Sequence, residues 1–221
     1  LDLLATMSEW TASYYEVKNT VWINDGLGPF GLSGRYLGVD GGGAGVVLGD
    51  LDSDGDLDIF LLDSGANKVA FNVGAAYFLN SGQLLGAADS RDAALGDLDG
   101  DGDLDVFIAN YNQANRVWLN AGDGVFVDSG QVLGGSNSQG VELGDLDSDG
   151  DLDAFVVNRD QSLQIWLNDG SGVFTHSGQF FSNSQRSDAV ALGDLDGDGD
   201  LDAFVVNGLY WSSGIEEVWV N

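Results

Sequence analysis

Aspartate occupies every second position in the phrase GDLDSDGDLD, as Asp50, Asp52, Asp54, Asp56 and Asp58. Carboxylates at that spacing suit one kind of chemistry, which is to surround a divalent cation with hard oxygen donors. In a tight turn the side chains at loop positions 1, 3 and 5 converge on one point. Gly55 at position 6 permits the positive φ that folds the chain back, and the carbonyl of Asp56 at position 7 can then face inward. Asp58 at position 9 returns a further carboxylate as the next strand starts. A cage made only of oxygen suits Ca²⁺ and disfavours zinc and copper, while Mg²⁺ prefers a smaller octahedral site that retains water. Aspartate and glycine are also ordinary turn residues, and a single Asp-Gly turn carries no further meaning. Carboxylates about 5 Å apart repel by roughly 1 kcal/mol per pair even in water, so a turn alone does not select so many of them.

The phrase recurs. It returns with Asp97, Asp99, Asp101, Asp103 and Asp105, then with Asp145, Asp147, Asp149, Asp151 and Asp153, and last with Asp194, Asp196, Asp198, Asp200 and Asp202. The first aspartates of the phrases are 47, 48 and 49 residues apart. An EF-hand is excluded, because it needs an acidic residue at position 12 and a following helix. Position 12 here is Leu61, Ile108, Val156 or Val205, each inside an apolar run. The short-period calcium repeats of parallel β-helices are excluded by the long spacing.

The elements that carry the loops repeat as well. A second marker reads VWIN at Val21, YFLN at Tyr77, VWLN at Val117, IWLN at Ile165 and VWVN at Val218. A third reads DGLGPF from Asp25, AGDGVF from Ala121 and DGSGVF from Asp169, each followed by an SGxxL-type segment. Within one period, VELGDL, DAFVVN, SLQIWLN and GVFTHSGQF give four short β-rich segments punctuated by glycine or Asp-Gly turns. Four-stranded units at this period are blades, and the expected fold is an all-β, β-propeller of four-stranded antiparallel blades. A β-sandwich leaves the regular repeat unexplained. The expected units are 1–45, an N-terminal blade without an acidic loop, then 46–92, 93–140, 141–189 and 190–221. In the first unit LDLLATM, TASYYEV, TVWIN and PFGLSGRYLG read as successive strands. The last unit stops at VWVN and lacks its own outer strand, a place that LDLLATM is the alternative candidate to fill.

Composition narrows the function. The 221 residues carry a formal charge of −29, and the four phrases hold 20 of the 36 acidic residues. Such a chain is no natural partner for nucleic acid or anionic membrane. No run is apolar and long enough to insert into a bilayer. There is no cysteine to form a disulfide or thiolate site. The opening LDLLATMSEW lacks the pattern of a signal peptide, which suggests a mature or trimmed chain.

GDLDGDGDLD followed by an apolar strand, then VWLN and DGxGxF, resembles the FG-GAP/VCBS repeats of integrin α-subunit-type calcium-binding β-propellers. The resemblance covers about residues 21–221. It implies a Ca²⁺ in each loop, about four in all, held by positions 1, 3, 5 and 9 with the carbonyl of position 7. It also implies a secreted or cell-surface location and a non-enzymatic task in adhesion or the binding of glycan or protein ligands. The chain departs from the pattern in having no acidic loop before residue 49 and fewer blades than the usual seven.

Candidate ligand residues lie where the repeats differ: Arg91, Gln139 and Arg186 in the segments ahead of the first strands, and Glu142, which replaces Val47, Ala94 and Ala191 of the other units. Two other functions remain open. One is a structural subunit that self-associates through its terminal strands, and the other is a polysaccharide-degrading enzyme, for which the only histidine, His176, reads better as a surface residue. The once-per-blade aromatics, Trp118 and Trp166 among them, read as packing between sheets, whereas Trp10 and Trp211 fall outside the repeat.

Overall fold

Short runs of β-branched and aromatic residues closed by glycine turns pair with their immediate chain neighbours, and the result is a series of antiparallel meanders. The structure, a computed structural model, describes residues 3–10, 15–23, 31–36, 44–179, 181, 186–208 and 216–221. Trp211 and segments 37–43 and 182–185 lie outside them. Among the described residues every regular element is a strand, arranged in five sheets.

The first sheet holds β1 (Leu3–Trp10), β2 (Tyr15–Ile23) and β3 (Gly31–Tyr36). Three four-stranded blades follow. They comprise β4 (Gly45–Gly49), β5 (Asp58–Leu62), β6 (Lys68–Asn72) and β7 (Phe78–Asn80); then β8 (Ser90–Gly96), β9 (Asp105–Asn110), β10 (Arg116–Asn120) and β11 (Phe126–Asp128); then β12 (Ser138–Gly144), β13 (Asp153–Asn158), β14 (Gln164–Asn168) and β15 (Phe174–His176). The last sheet has β16 (Ser187–Gly193), β17 (Asp202–Asn207) and β18 (Glu217–Trp219), and no fourth strand among the described residues. Each acidic phrase forms the hairpin between the first and second strands of its blade.

The first sheet departs from the sequence expectation. TASYYEV and TVWIN do not give two strands: their described parts, residues 15–17 and 20–23, lie in the single strand β2, and β1 pairs along it from Leu3↔Trp22 to Trp10↔Tyr15. No glycine or proline interrupts Tyr15–Ile23, and Thr20 and Val21 favour extended backbone, so nothing turns the chain there. LDLLATM accordingly contributes to β1 in the first sheet and does not complete the last one.

The core lies between blades. The second strands β5, β9 and β13 are buried at every residue, which is why they read as continuous apolar runs without alternation. Phe60 in β5 meets Phe126 of the next blade edge-on at 5.6 Å, and Phe107 in β9 meets Phe174 at 5.3 Å. Trp118 and Trp166 pack into these same inter-blade clusters, as their once-per-blade recurrence suggests. The final blade differs. Phe204, the counterpart of Phe107 in register, is 39% exposed where Phe60 and Phe107 are fully buried.

This difference gives a paired expectation. Phe107→Ala should cost about 3–5 kcal/mol by urea unfolding, the usual range for a buried phenylalanine. Phe204→Ala should cost less than half as much, because it already lacks one side of its packing.

Candidate metal centres

The loop backbone is set by two left-handed positions. Position 6 has φ of 94°, 95°, 99° and 102° at Gly55, Gly102, Gly150 and Gly199, a region open to glycine alone. Position 4 is also left-handed, at Ser53, Gly100, Ser148 and Gly197, with φ between 60° and 86°. That explains why position 4 alternates between serine and glycine and never carries a bulky residue.

Position 1 closes the loop across its width. Asp50, Asp97 and Asp145 each accept the position 6 N–H at 3.0–3.1 Å, and Asp194 accepts the Gly197 N–H at 2.7 Å. Asp52, Asp99 and Asp196 at position 3 accept the position 5 N–H, while Asp54, Asp101, Asp149 and Asp198 at position 5 accept the position 7 N–H.

Position 9 is sealed inside. Asp58, Asp105 and Asp153 are fully buried and Asp202 nearly so. One oxygen accepts the position 2 N–H, from Leu51, Leu98, Leu146 or Leu195, at 2.8–2.9 Å. The other accepts the N–H of an asparagine at the end of the third strand, from Asn72, Asn120, Asn168 or Asn221, at 2.7–2.9 Å; in the first acidic blade this is Asn72 of KVAFN and not Asn80 of YFLN, which lies in the fourth strand β7.

Three aspartates in each loop bring carboxylate oxygens within 4.8 Å of one another. They are Asp50, Asp52 and Asp58; Asp97, Asp99 and Asp101; Asp145, Asp147 and Asp153; and Asp194, Asp196 and Asp202. Positions 1 and 3 therefore always take part, with position 9 in three loops and position 5 in one. Position 7 stays outside: Asp103 and Asp200 accept hydroxyl hydrogen bonds from Ser53 and Ser148 of the preceding blade, and Asp151 lies against Gly170. Only the Asp56-type carbonyl remains for an inward role at that position.

The electrostatics ask for a cation. Desolvation, and then the carboxylate at position 5, pushes Asp52, Asp99, Asp147 and Asp196 above the usual carboxylate range. Burial raises Asp58 and Asp153 despite their two N–H donors, and takes Asp105 up to about 6. Asp202 runs the other way, held low by the N–H groups of Asn221 and Leu195, which outweigh its desolvation. Asp50 Oδ1 is shielded from solvent with no hydrogen-bond partner. An all-oxygen donor set, mutual repulsion and an orphaned carboxylate oxygen fit a hard divalent cation.

A sequence profile, the FG-GAP-like repeat, matches residues 1–61, 50–108, 97–156 and 145–205. The chain belongs to the FG-GAP-like repeat family. Comparison with curated proteins finds no match. Among solved structures it is similar to the BP39L lectin from Burkholderia pseudomallei, at 20% identity and a TM-score of 0.58 over 93% of this chain and 62% of that one. A lectin from Agrocybe aegerita that recognises non-reducing terminal N-acetylglucosamine matches at 19% identity and 0.53, covering 91% of this chain and 60% of that chain. The biofilm matrix protein Bap1 of V. cholerae matches at 14% and 0.50, over 92% of this chain and 34% of its own. The chain thus spans about 60% of the length of the two lectins, and the likeness establishes a propeller-like, all-β fold.

Two repeated residues of these FG-GAP-like blades escaped the sequence reading. The marker asparagine reaches back across the blade boundary: Asn120, Asn168 and Asn221 donate their amides to the carbonyls of Leu51, Leu98 and Leu146 in the preceding loops at 2.8, 2.8 and 3.1 Å. The SGQ glutamine reaches forward. Gln83 bonds Gly124 O and the Phe126 N–H, and Gln131 bonds Gly172 O and the Phe174 N–H. A polar residue recurring at the end of an apolar strand was the available signal.

The remaining candidates lie at the opposite end of the blades. Arg91 pairs with Asp89 at 2.8 Å and covers the Tyr111 ring at 4.7 Å. Gln139 bonds Asn137, and Arg186 pairs with Asp188, which also takes Arg159 at 2.8 Å. Glu142 does not join them: it lines a space of about 440 Å³ along the first strands together with Asp92, and burial followed by the Asp92 charge raises its pKa. His176 is exposed, accepts the Gly178 N–H and sits edge-on to Trp166, a turn contact.

Asn168→Ala should cost about 1–3 kcal/mol in urea unfolding, since it strips a donor from two carbonyls, those of Leu98 and Leu152. Asn72→Ala, whose amide meets only its own loop at Leu57, should cost less.

Proposed function

We propose that this protein is a calcium-stabilised, extracellular, non-enzymatic binding module that takes glycan ligands on the face opposite its acidic loops. One observation carries the reading. Each of the first strands β8, β12 and β16 slips register just after a buried serine, between Ser90 and Asp92, Ser138 and Gly140, and Ser187 and Ala189. The serines are pinned to Asn110, Asn158 and Asn207 at 2.8–2.9 Å. The slip therefore presents one side chain per blade at an equivalent place, and these are Arg91, Gln139 and Asp188. The residues two before them, Asp89, Asn137 and Arg186, vary in the same way. A fixed frame displaying varied hydrogen-bonding groups is how rigid scaffolds carry recognition.

Charge separates the two ends. Lys68, Arg91, Arg116, Arg159 and Arg186 all sit at strand ends remote from the acidic loops. Paired carboxylates, amides and guanidinium groups beside Tyr111 suit hydroxyl-rich ligands, and the two lectins of similar fold support a sugar over a protein ligand. Calcium in the loops supports the extracellular assignment, because ions at such sites stay bound at extracellular concentrations. The cation's part is to neutralise the cage and bind the folded state preferentially.

Two experiments test this reading. Calcium titration by calorimetry should give about four ions per chain, falling by one with Asp99→Asn, and chelation should lower the melting temperature. Failure of chelator to move it would contradict the calcium assignment. Separately, a glycan array should retain the calcium-loaded protein, with Arg91→Ala and Gln139→Ala each weakening capture at least tenfold at unchanged stability. An array without retained glycans, or capture unaffected by both substitutions, would overturn the ligand assignment.

A further inference from the structure

Building on the glycan reading, we infer that the ligand is an acidic sugar, whose carboxylate or sulfate group binds where Arg159 and Arg186 meet. Arg159 follows β13 and Arg186 precedes β16, at the end of the blades remote from the acidic loops. An antiparallel bridge across the blade boundary sets the two arginines directly opposite one another. Like charges facing each other in this way oppose the pairing, so a purely structural tie between the blades would use one arginine and not two.

A single carboxylate serves both. Asp188 Oδ1 accepts Arg159 Nη2 at 2.8 Å and Arg186 Nε at 3.2 Å, which leaves one positive charge in excess. The other basic side chains at this end each have a partner of their own: Lys68 has Asp63, Arg91 has Asp89, and Arg116 donates to the Gln131 carbonyl. Arg159 meets Asp188 through one nitrogen, and its Nε is shielded from solvent with no hydrogen-bond partner. Its side chain makes no other hydrogen bond among the described residues. A guanidinium held by one of its donors keeps the planar fork that recognises an oxyanion at two points. The arginine side chains are each 24% exposed and that of Asp188 is 32% exposed, so the group is partly desolvated and still within reach of a ligand.

The blade frame keeps one position clear beside this group. Tyr111 and Gly208 are equivalent, each giving its N–H to the residue ahead of the bulge serine, Asp89 or Arg186. Tyr111 lays its ring on Arg91. A Cβ at Gly208 would stand 3.2 Å from Arg186 Nε and strike the Asp188 carboxylate, so no side chain from that position lies over the pair. The acidic loops do not forbid an anion here. The six residues of β13 span roughly 20 Å, more than the ~8 Å over which exposed charge is felt at physiological ionic strength.

A glycan array carrying neutral, uronate-bearing and sulfated glycans tests this on the full calcium-loaded chain. The retained glycans should be acidic, and the class retained, uronate or sulfate, identifies the anion. Their retention should fall at least tenfold with Arg159→Ala at unchanged circular dichroism, and less with Arg159→Lys, which keeps the charge and loses the fork. With the unaltered protein, retention should weaken as sodium chloride rises from about 0.05 M to about 0.5 M. Retention of neutral glycans alone would overturn the acidic-sugar assignment and leave the glycan reading standing, whereas an array with no retained glycan would overturn both. Acidic glycans held equally by Arg159→Ala, or held without regard to salt, would also overturn it.

Discussion

A carboxylate removed from solvent is unfavourable unless its charge is met, and every acidic blade of this protein contains one at position 9 of its loop. Asp58, Asp105, Asp153 and Asp202 each meet two backbone N–H groups, one from the loop and one from the end of the third strand. That single group thereby couples the loop's shape to the sheet behind it. At Asp105, Asp153 and Asp202 the asparagine whose N–H is accepted then extends its side chain into the preceding blade, so the same carboxylate also bears on how blades stack. Two N–H donors do not suffice for the buried members Asp58, Asp105 and Asp153, whose pKa values remain raised, a deficit that a cation among the neighbouring carboxylates would meet.

The blades are held by a combination of dry and polar contacts. Phenylalanine pairs and leucines fill the space between sheets, while the asparagine and glutamine amides tie loop to loop along the rim. Each contact joins one repeat to its neighbour, the asparagines reaching back and the glutamines forward, so energy is distributed as nearest-neighbour terms. The last boundary keeps the asparagine bond, from Asn221 to the Leu146 carbonyl.

Much of this was legible in the residues. Aspartate at alternating positions, glycine at position 6 and apolar runs at a period near 48 residues point to caged loops on four-stranded blades, and the first and second strands flanking each loop lie where those signals put them, whereas YFLN, grouped with the VWLN-type markers, is a fourth strand and KVAFN the third. Two kinds of feature were not. The unbroken β2 was missed because the reading imposed the later repeat on a segment in which Lys18-Asn19, with no glycine or proline beside it, does not turn the chain. The amide bridges of Asn120, Asn168, Gln83 and Gln131 were missed because their partners are backbone groups 41 to 70 residues away, which leave no trace in side-chain type. The register slips beside Ser90, Ser138 and Ser187 were hidden for a similar reason: a bulge is set by pairing, and Arg91 and Gln139 stood out only by their variation.

The central claim is that a cation in each loop holds the buried position 9 carboxylate in service to both loop and third strand. Amide hydrogen exchange, followed by NMR in calcium and then in chelator, tests it at the atoms concerned. The account predicts strong protection of the Leu51, Leu98, Leu146, Asn72, Asn120 and Asn168 amides in calcium, lost together on chelation ahead of the β9 and β13 interior. Protection of those amides that is the same with and without calcium would contradict it.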